Sequence, residues 1–240
     1  MCKIKGIFFD IDDTLFSTFR FARQARLNSV RAMIKTGLDM DEQECYQKLC
    51  EVIEELGSNY STHYNKLLRW VEKDNCIRGN RALIIAAGVV AYHRTKSTEL
   101  VPFEDVPETL SILERSGMIL GVVTAGLEIK QAEKLIRLNL LEYFHQDGIF
   151  ITSQVGIGKS NPRIYQNACD QFSLKPADCM YVGDNPDFDI DPPNKIGMKT
   201  VLIRKGGKHR DKVGKTSPNH VIHHIHELIE ILREEYDFKE

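Results

Sequence analysis

From Val101 to the C-terminus, short apolar runs and helical periodicities alternate, and that rhythm leaves few folds open to the chain. Residues 107–116, 127–138 and 162–172 read as helices, and 118–123, 148–152, 179–182 and 200–203 as strands. A short strand at Val221 and Ile222 and a closing helix over 226–232 follow. The strand segments are apolar almost throughout, which marks strands buried on both faces. Such strands joined through helices make a parallel sheet covered on both sides, a doubly wound, Rossmann-like α/β core. A further apolar run, Ile7, Phe8 and Phe9, lies near the N-terminus and is expected to join that sheet.

Between these two parts the period changes. Cys45, Leu49, Val52, Ile53 and Leu56 fall at helical spacing, as do Tyr60, Tyr64, Leu67, Leu68 and Val71. Residues 20–35 and 81–95 add two more helices, and nothing from 17 to 100 reads as a convincing strand. The expected organisation is an α/β core of residues 1–16 and 101–240, interrupted by an all-helical unit of residues 17–100. Trp70, with Tyr60 and Tyr64, is expected in the core of that unit. The apolar stretch from Ala82 to Tyr92 falls well short of the ~20 residues that span a bilayer and reads as a buried helix.

Composition narrows the partners. With 240 residues, 42% of them hydrophobic, the chain can bury a sizeable core. The net charge of -2, from 32 basic and 34 acidic residues, supplies no field for nucleic acid or an anionic membrane, and neither partner is expected. The six cysteines, Cys2, Cys45, Cys50, Cys76, Cys169 and Cys179, form no C-x-x-C pair, which argues for reduced thiols over a zinc or redox motif. The chain opens Met-Cys-Lys and enters strand-like sequence without the apolar region of a signal peptide, so a cytoplasmic location is expected. Both a monomer and a homodimer are compatible with this composition.

The N-terminal strand runs into Asp10, Ile11, Asp12, Asp13 and Thr14. Three carboxylates at the end of a buried strand need compensating charge, and a cation is the expected source. A calcium loop of the EF-hand kind does not fit: with Asp10 as its first position, Leu15 stands where Gly is required and Phe21 where a bidentate Glu is required. In an open parallel sheet, ligands bind beyond the carboxyl ends of the strands. That rule gathers Asp10 and Asp12, Thr124 after the strand ending in Val123, Asp184 after Val182 and Gly183, and Lys159 from a loop opening a helix.

Four segments carry these residues in order: FFDIDDTLF with Asp10 and Asp12, VVTAG with Thr124, GKSNPRIY with Lys159, and YVGDNPDFDI with Asp184 and Asp189. In sequence and order they resemble the motifs of the haloacid dehalogenase superfamily, in the subfamily with a helical cap. The pattern is most similar to the archaeal glyceraldehyde 3-phosphate phosphatases, with phosphoglycolate phosphatases as near relatives. The resemblance implies Mg2+ held by Asp10, Asp184 and the Asp12 backbone carbonyl, with Asp189 as a further ligand or as the group orienting Lys159. It implies that Asp10 forms an aspartyl-phosphate, that Asp12 moves protons, and that Thr124, the backbone at Ala125 and Lys159 bind the phosphate of a small ester. An acid at position 12 resembles the phosphatases and phosphomutases and not the dehalogenases, which need no leaving-group acid. A phosphomutase, or a non-catalytic phosphate-ester or nucleotide-binding protein, would use the same frame.

Other features compete for attention. SQVGIGKS, from Ser153 to Ser160, nearly matches a P-loop, but Ser153 stands where the first glycine belongs. Pro192 and Pro193 bar a helix interior, so a helix is expected to start near Pro192, which leaves the aim of Asp189 open. Ala125 stands where relatives often carry a polar residue. The spacing of His220, His223, His224 and His226 does not bring all four to one face, and a solvated surface is expected. Thr14 is expected to shape the turn, and Asp13 receives no chemical role.

Overall fold

In the computed structural model, which describes residues 3–72 and 75–238, the N-terminal apolar run is a central strand of a six-stranded parallel sheet. Cys2 lies outside the described residues. Strand β1 (Gly6–Phe9) is followed by helices α1 (Thr18–Lys35), α2 (Glu42–Leu56), α3 (His63–Val71) and α4 (Arg81–Glu99). Next come α5 (Val106–Arg115), β2 (Ile119–Thr124), α6 (Glu128–Arg137), β3 (Ile149–Ile151), α7 (Thr152–Val155) and α8 (Arg163–Gln171). The chain closes with β4 (Cys179–Gly183), α9 (Asp191–Lys195), β5 (Lys199–Ile203), β6 (His220–Ile222) and α10 (Glu227–Glu235). The sheet order is β3-β2-β1-β4-β5-β6 and every neighbouring pair is parallel, the doubly wound α/β arrangement expected from the sequence.

Every residue of β1 and β4 is buried, as strands covered on both faces must be. Phe8 packs with Val123, Ile164, Tyr165, Ala168 and Tyr181 in the core beneath the site. The register pairs Phe9 with Val122 on one side and Val182 on the other. Asp10 therefore leaves the sheet level with Val123 and Gly183, and Thr124 and Asp184 follow one residue farther along. Strand order reverses at this point, where open α/β sheets present their ligand crevice.

The chain divides into two compact units, one built from the segment up to Phe19 together with Val101 onward, the other from Arg20 to Leu100. The second unit has its own core of Val30, Met33, Leu38, Cys45, Leu49, Val52, Leu67, Leu68, Val71 and Ile84. Two of its helices start on side-chain caps: Asp41 accepts from the amides of Gln43 and Glu44, and Asn80 from those of Ala82 and Leu83. Tyr64 and Trp70 pack on this core, whereas Tyr60 is exposed and sets its ring edge against His63.

The apolar run in α4 does not make a buried helix. Only Ile84, Gly88 and Thr95 are buried, while Leu83 and Val90 are 62% and 66% exposed. A continuous apolar run carries no period, and packing along one side of a helix covers only the residues three or four apart on that side. Among the described residues no helix is long and apolar enough to cross a membrane, and Cys45, Cys50, Cys169 and Cys179 are free thiols.

Candidate active site

Asp10, the first residue past β1, is anchored by its own amide, which donates to the Val182 carbonyl at 2.9 Å. Its carboxylate Oδ1 lies 3.2 Å from Lys159 Nζ. Lys159 sits in the turn before α8, and its side chain is 3% exposed. The same ammonium lies 2.5 Å from Asp189 Oδ1 and 5.3 Å from the centre of the Tyr181 ring. Burial works against the charged amine, but Asp10 and Asp189 outweigh it and hold the Lys159 pKa above the ordinary lysine value.

Asp189 owes its aim to an irregular turn. Residues Pro186–Ile190 form a single π-type turn, and α9 begins after it at Asp191, with both prolines in the first turn where no amide donor is required. That turn buries Asp189 completely and lets its Oδ2 accept the Asn185 amide at 2.8 Å. Its other oxygen is the one beside Lys159. Gly183, at the end of β4, gives the carboxylate room: a Cβ there would lie 2.6 Å from Asp189 Cβ.

Asp184 follows Gly183, is 5% exposed, and keeps Oδ2 buried without a hydrogen-bond partner. Ligand oxygens of Asp10, Asp184 and Asp189 all lie within 4.8 Å of one another. One ammonium stands against three carboxylates. Burial, then Asp189 and Asp10, push the Asp184 carboxyl up to about 8. Burial, opposed by Lys159 and reinforced by Asp189 and Asp12, pushes Asp10 up to about 6. An orphaned carboxylate oxygen in a cluster short of positive charge, built from hard oxygen donors alone, fits a hard divalent cation. Thr124 Oγ1 is likewise buried without a partner at the end of β2. The turn after it is stapled to the start of α7: Gly126 donates to Thr152 Oγ1 at 3.0 Å and Glu128 to Ser153 Oγ at 2.7 Å. Ala125, between Thr124 and Gly126, is exposed.

Asp12 stands apart from this cluster. Lys134 Nζ is 2.6 Å from both of its carboxylate oxygens, Thr18 Oγ1 donates to Oδ1 at 2.9 Å, and Gln131 Nε2 to Oδ2 at 3.3 Å. Sequence reading missed Lys134 and Gln131. The available signal was Gln131 itself, a polar residue on the buried stripe that α6 shares with Leu135. Asp13 takes a left-handed backbone, φ 53°, and its Oδ1 accepts the Thr18 amide at 2.9 Å, so it fastens the start of α1.

The near P-loop does not form one. Residues Thr152–Val155 make a helical turn between β3 and Gly156, and Lys159 points to Asp10 and Asp189. The four histidines disperse: His220 meets Tyr236, His223 the Arg204 carbonyl, and His224 stacks on His226. These last two lie near Asp105, whose oxygens already accept from Lys205 and the Ile225 amide.

A family model described as haloacid dehalogenase-like hydrolase matches residues 4–197. The glyceraldehyde 3-phosphate phosphatase of Methanopyrus kandleri is 42% identical over 236 residues, 96% of this chain and 98% of that one. The protein of the same name from Methanocaldococcus jannaschii is 36% identical over 96% of this chain and 97% of its own. Among solved structures, a HAD phosphatase from Thermococcus onnurineus superposes with a TM-score of 0.65 at 22% identity, covering 97% of this chain and all of that one.

Proposed function

The chain belongs to the haloacid dehalogenase-like hydrolases, and from that premise we propose that it is a magnesium-dependent phosphatase of small phosphate monoesters, with glyceraldehyde 3-phosphate as its substrate. The observation that carries the chemistry is the pairing of Asp10 with a buried Lys159 at 3.2 Å, beside an Asp184 oxygen that has no partner. The substrate rests on the two relatives of that name, similar over nearly the whole chain.

Asp10 attacks phosphorus as the bond to the leaving alkoxide breaks, forming an aspartyl-phosphate; water then attacks that phosphorus, releasing phosphate and restoring Asp10. Asp12 protonates the alkoxide in the first half and takes a proton from water in the second. The Thr124 hydroxyl, the backbone N–H at Ala125 and the Lys159 ammonium receive the phosphate oxygens, where fixed donors stabilise the charge that develops. Asp10, Asp184 and the Asp12 carbonyl would hold Mg2+, which when bound offsets the repulsion between the phosphate dianion and Asp10. Asp189 serves that centre by holding Lys159 in place. The helical unit is inserted between the first two motifs, the place in the chain where the resemblance puts a cap.

The test is a panel of phosphate esters, glyceraldehyde 3-phosphate included, assayed for phosphate release with Mg2+ and with chelator, beside Asp10→Asn. Hydrolysis of glyceraldehyde 3-phosphate that needs Mg2+ and vanishes in the variant is expected. Phosphate release by Asp10→Asn at the native rate refutes the mechanism, and preference for another ester refutes the substrate.

A further inference from the structure

The Asp12 carboxylate is gripped by three side chains, and the strongest grip is the ammonium of Lys134, 2.6 Å from each oxygen. Lys134 is 19% exposed and the Asp12 side chain 30%, so the pair is partly shielded from water. The Lys134 ammonium lies over the Phe16 ring, 5.8 Å from its centre. Gln131, one turn earlier on α6, donates both to Asp12 and to the Ala125 carbonyl at 2.8 Å. One face of α6 thus ties the carboxylate to the turn after β2.

A bridging ammonium fixes a carboxylate's rotamer, and with it the place of the two oxygens that can accept a proton. Of the two half-reactions, the attack of water on an aspartyl-phosphate is the one that needs such an acceptor. We propose that Lys134 is a positioning residue for that second step, holding Asp12 where it takes the proton of the attacking water. The inference rests on the reading of Asp12 as proton carrier and adds the step that Lys134 serves. In that step the water oxygen bonds to phosphorus, the bond from phosphorus to Asp10 breaks, and the water proton passes to Asp12. Lys134 remains an ammonium throughout, and the proton on Asp12 is the one given to the next leaving alkoxide.

The experiment uses 4-nitrophenyl phosphate with saturating Mg2+. Nitrophenolate leaves without an acid, so kcat/KM reports the first step, while kcat falls once hydrolysis of the phosphoenzyme becomes slowest. Lys134→Met keeps the aliphatic stem beside Phe16, and Lys134→Gln is a second neutral variant. Each is expected to lower kcat by about 10-fold more than kcat/KM, a part of the ~10²–10⁴ that a positioned base contributes. A rapid burst of nitrophenolate, approaching one per enzyme, should appear with it. Lys134→Arg should abolish the burst, because a guanidinium also bridges two carboxylate oxygens.

Equal falls in kcat and kcat/KM, or no fall, in the neutral variants overturn the proposal. Asp12→Asn separates the two levels of failure. If it bursts and the Lys134 variants do not, Asp12 is the base and Lys134 does not position it. If Asp12→Asn itself shows no burst, the reading of Asp12 fails first.

Discussion

Replacing Gly183 with alanine should damage the site without touching any residue that meets substrate. The added Cβ would lie 2.6 Å from Asp189 Cβ, and closer still to the carboxylate carbon. Carbon atoms rest at about 3.5–4.0 Å, so Asp189 or the β4 backbone must yield by roughly 1 Å. Neither has room to spare. Asp189 is fully buried, its oxygens committed to Lys159 at 2.5 Å and the Asn185 amide at 2.8 Å, and β4 is paired on both sides. Hydrogen bonds to a charged group contribute about 1.5–3 kcal/mol each, and breaking a buried ion pair costs about 3–5 kcal/mol. A loss of about 3–5 kcal/mol in urea unfolding is therefore expected. Because Asp189 holds Lys159 against Asp10, kcat should also fall by about 10², the usual cost of a 1 Å misplacement. Gly158→Ala is the control, since its Cβ meets only Ser160 Oγ, at 3.8 Å. A cycle with Asp189→Ala locates the effect: once that side chain is gone, Gly183→Ala should cost little more. Gly183→Ala within about 1 kcal/mol of the native protein, with native kcat, would refute the reasoning, since a misplacement near 1 Å could not then be so cheap.

Two further outcomes follow from the same geometry. Folded-state values of about 8 for Asp184 and about 6 for Asp10 lie above those of exposed carboxyls, so the folded chain binds more protons than the unfolded one across that range. The metal-free protein should lose stability as pH rises from about 4 to about 8, and Mg2+ should raise Tm more at pH 8 than at pH 5; equal increments would contradict it. In β2, a Cβ on Gly121 would sit 2.7 Å from the Gly148 carbonyl oxygen and against the Phe8 ring, so Gly121→Ala should cost about 1–3 kcal/mol in urea unfolding, and an unchanged midpoint would count against close packing at that point.

The sheet was legible because its strands are buried on both faces, and such strands announce themselves as unbroken apolar runs, as at Phe8 and Phe9 or at Met180, Tyr181 and Val182. The same logic misled at α4, where an unbroken run covers every side of a helix and does not reveal which side is packed. Pro192 and Pro193 marked a helix start, but prolines state only what the backbone cannot do. They could not foretell the π-type turn at Pro186–Ile190, and with it the aim of Asp189.

Motif spacing likewise identified the acids that gather at the carboxyl edge and offered Lys159 as their cation, yet did not foretell that Asp12 takes Lys134. That choice depends on strand order and on the azimuth of α6, which no local pattern encodes. The two lysines divide the work by depth. Lys159 is buried with Asp10 and Asp189, where water screens a charge least, whereas Lys134 and Asp12 meet where both side chains are partly exposed. On the proposed mechanism, a nucleophile that faces a phosphate dianion is given the less screened field. On the same proposal, the carboxylate that takes and gives a proton in every turnover is held in place by an ammonium without being buried with it.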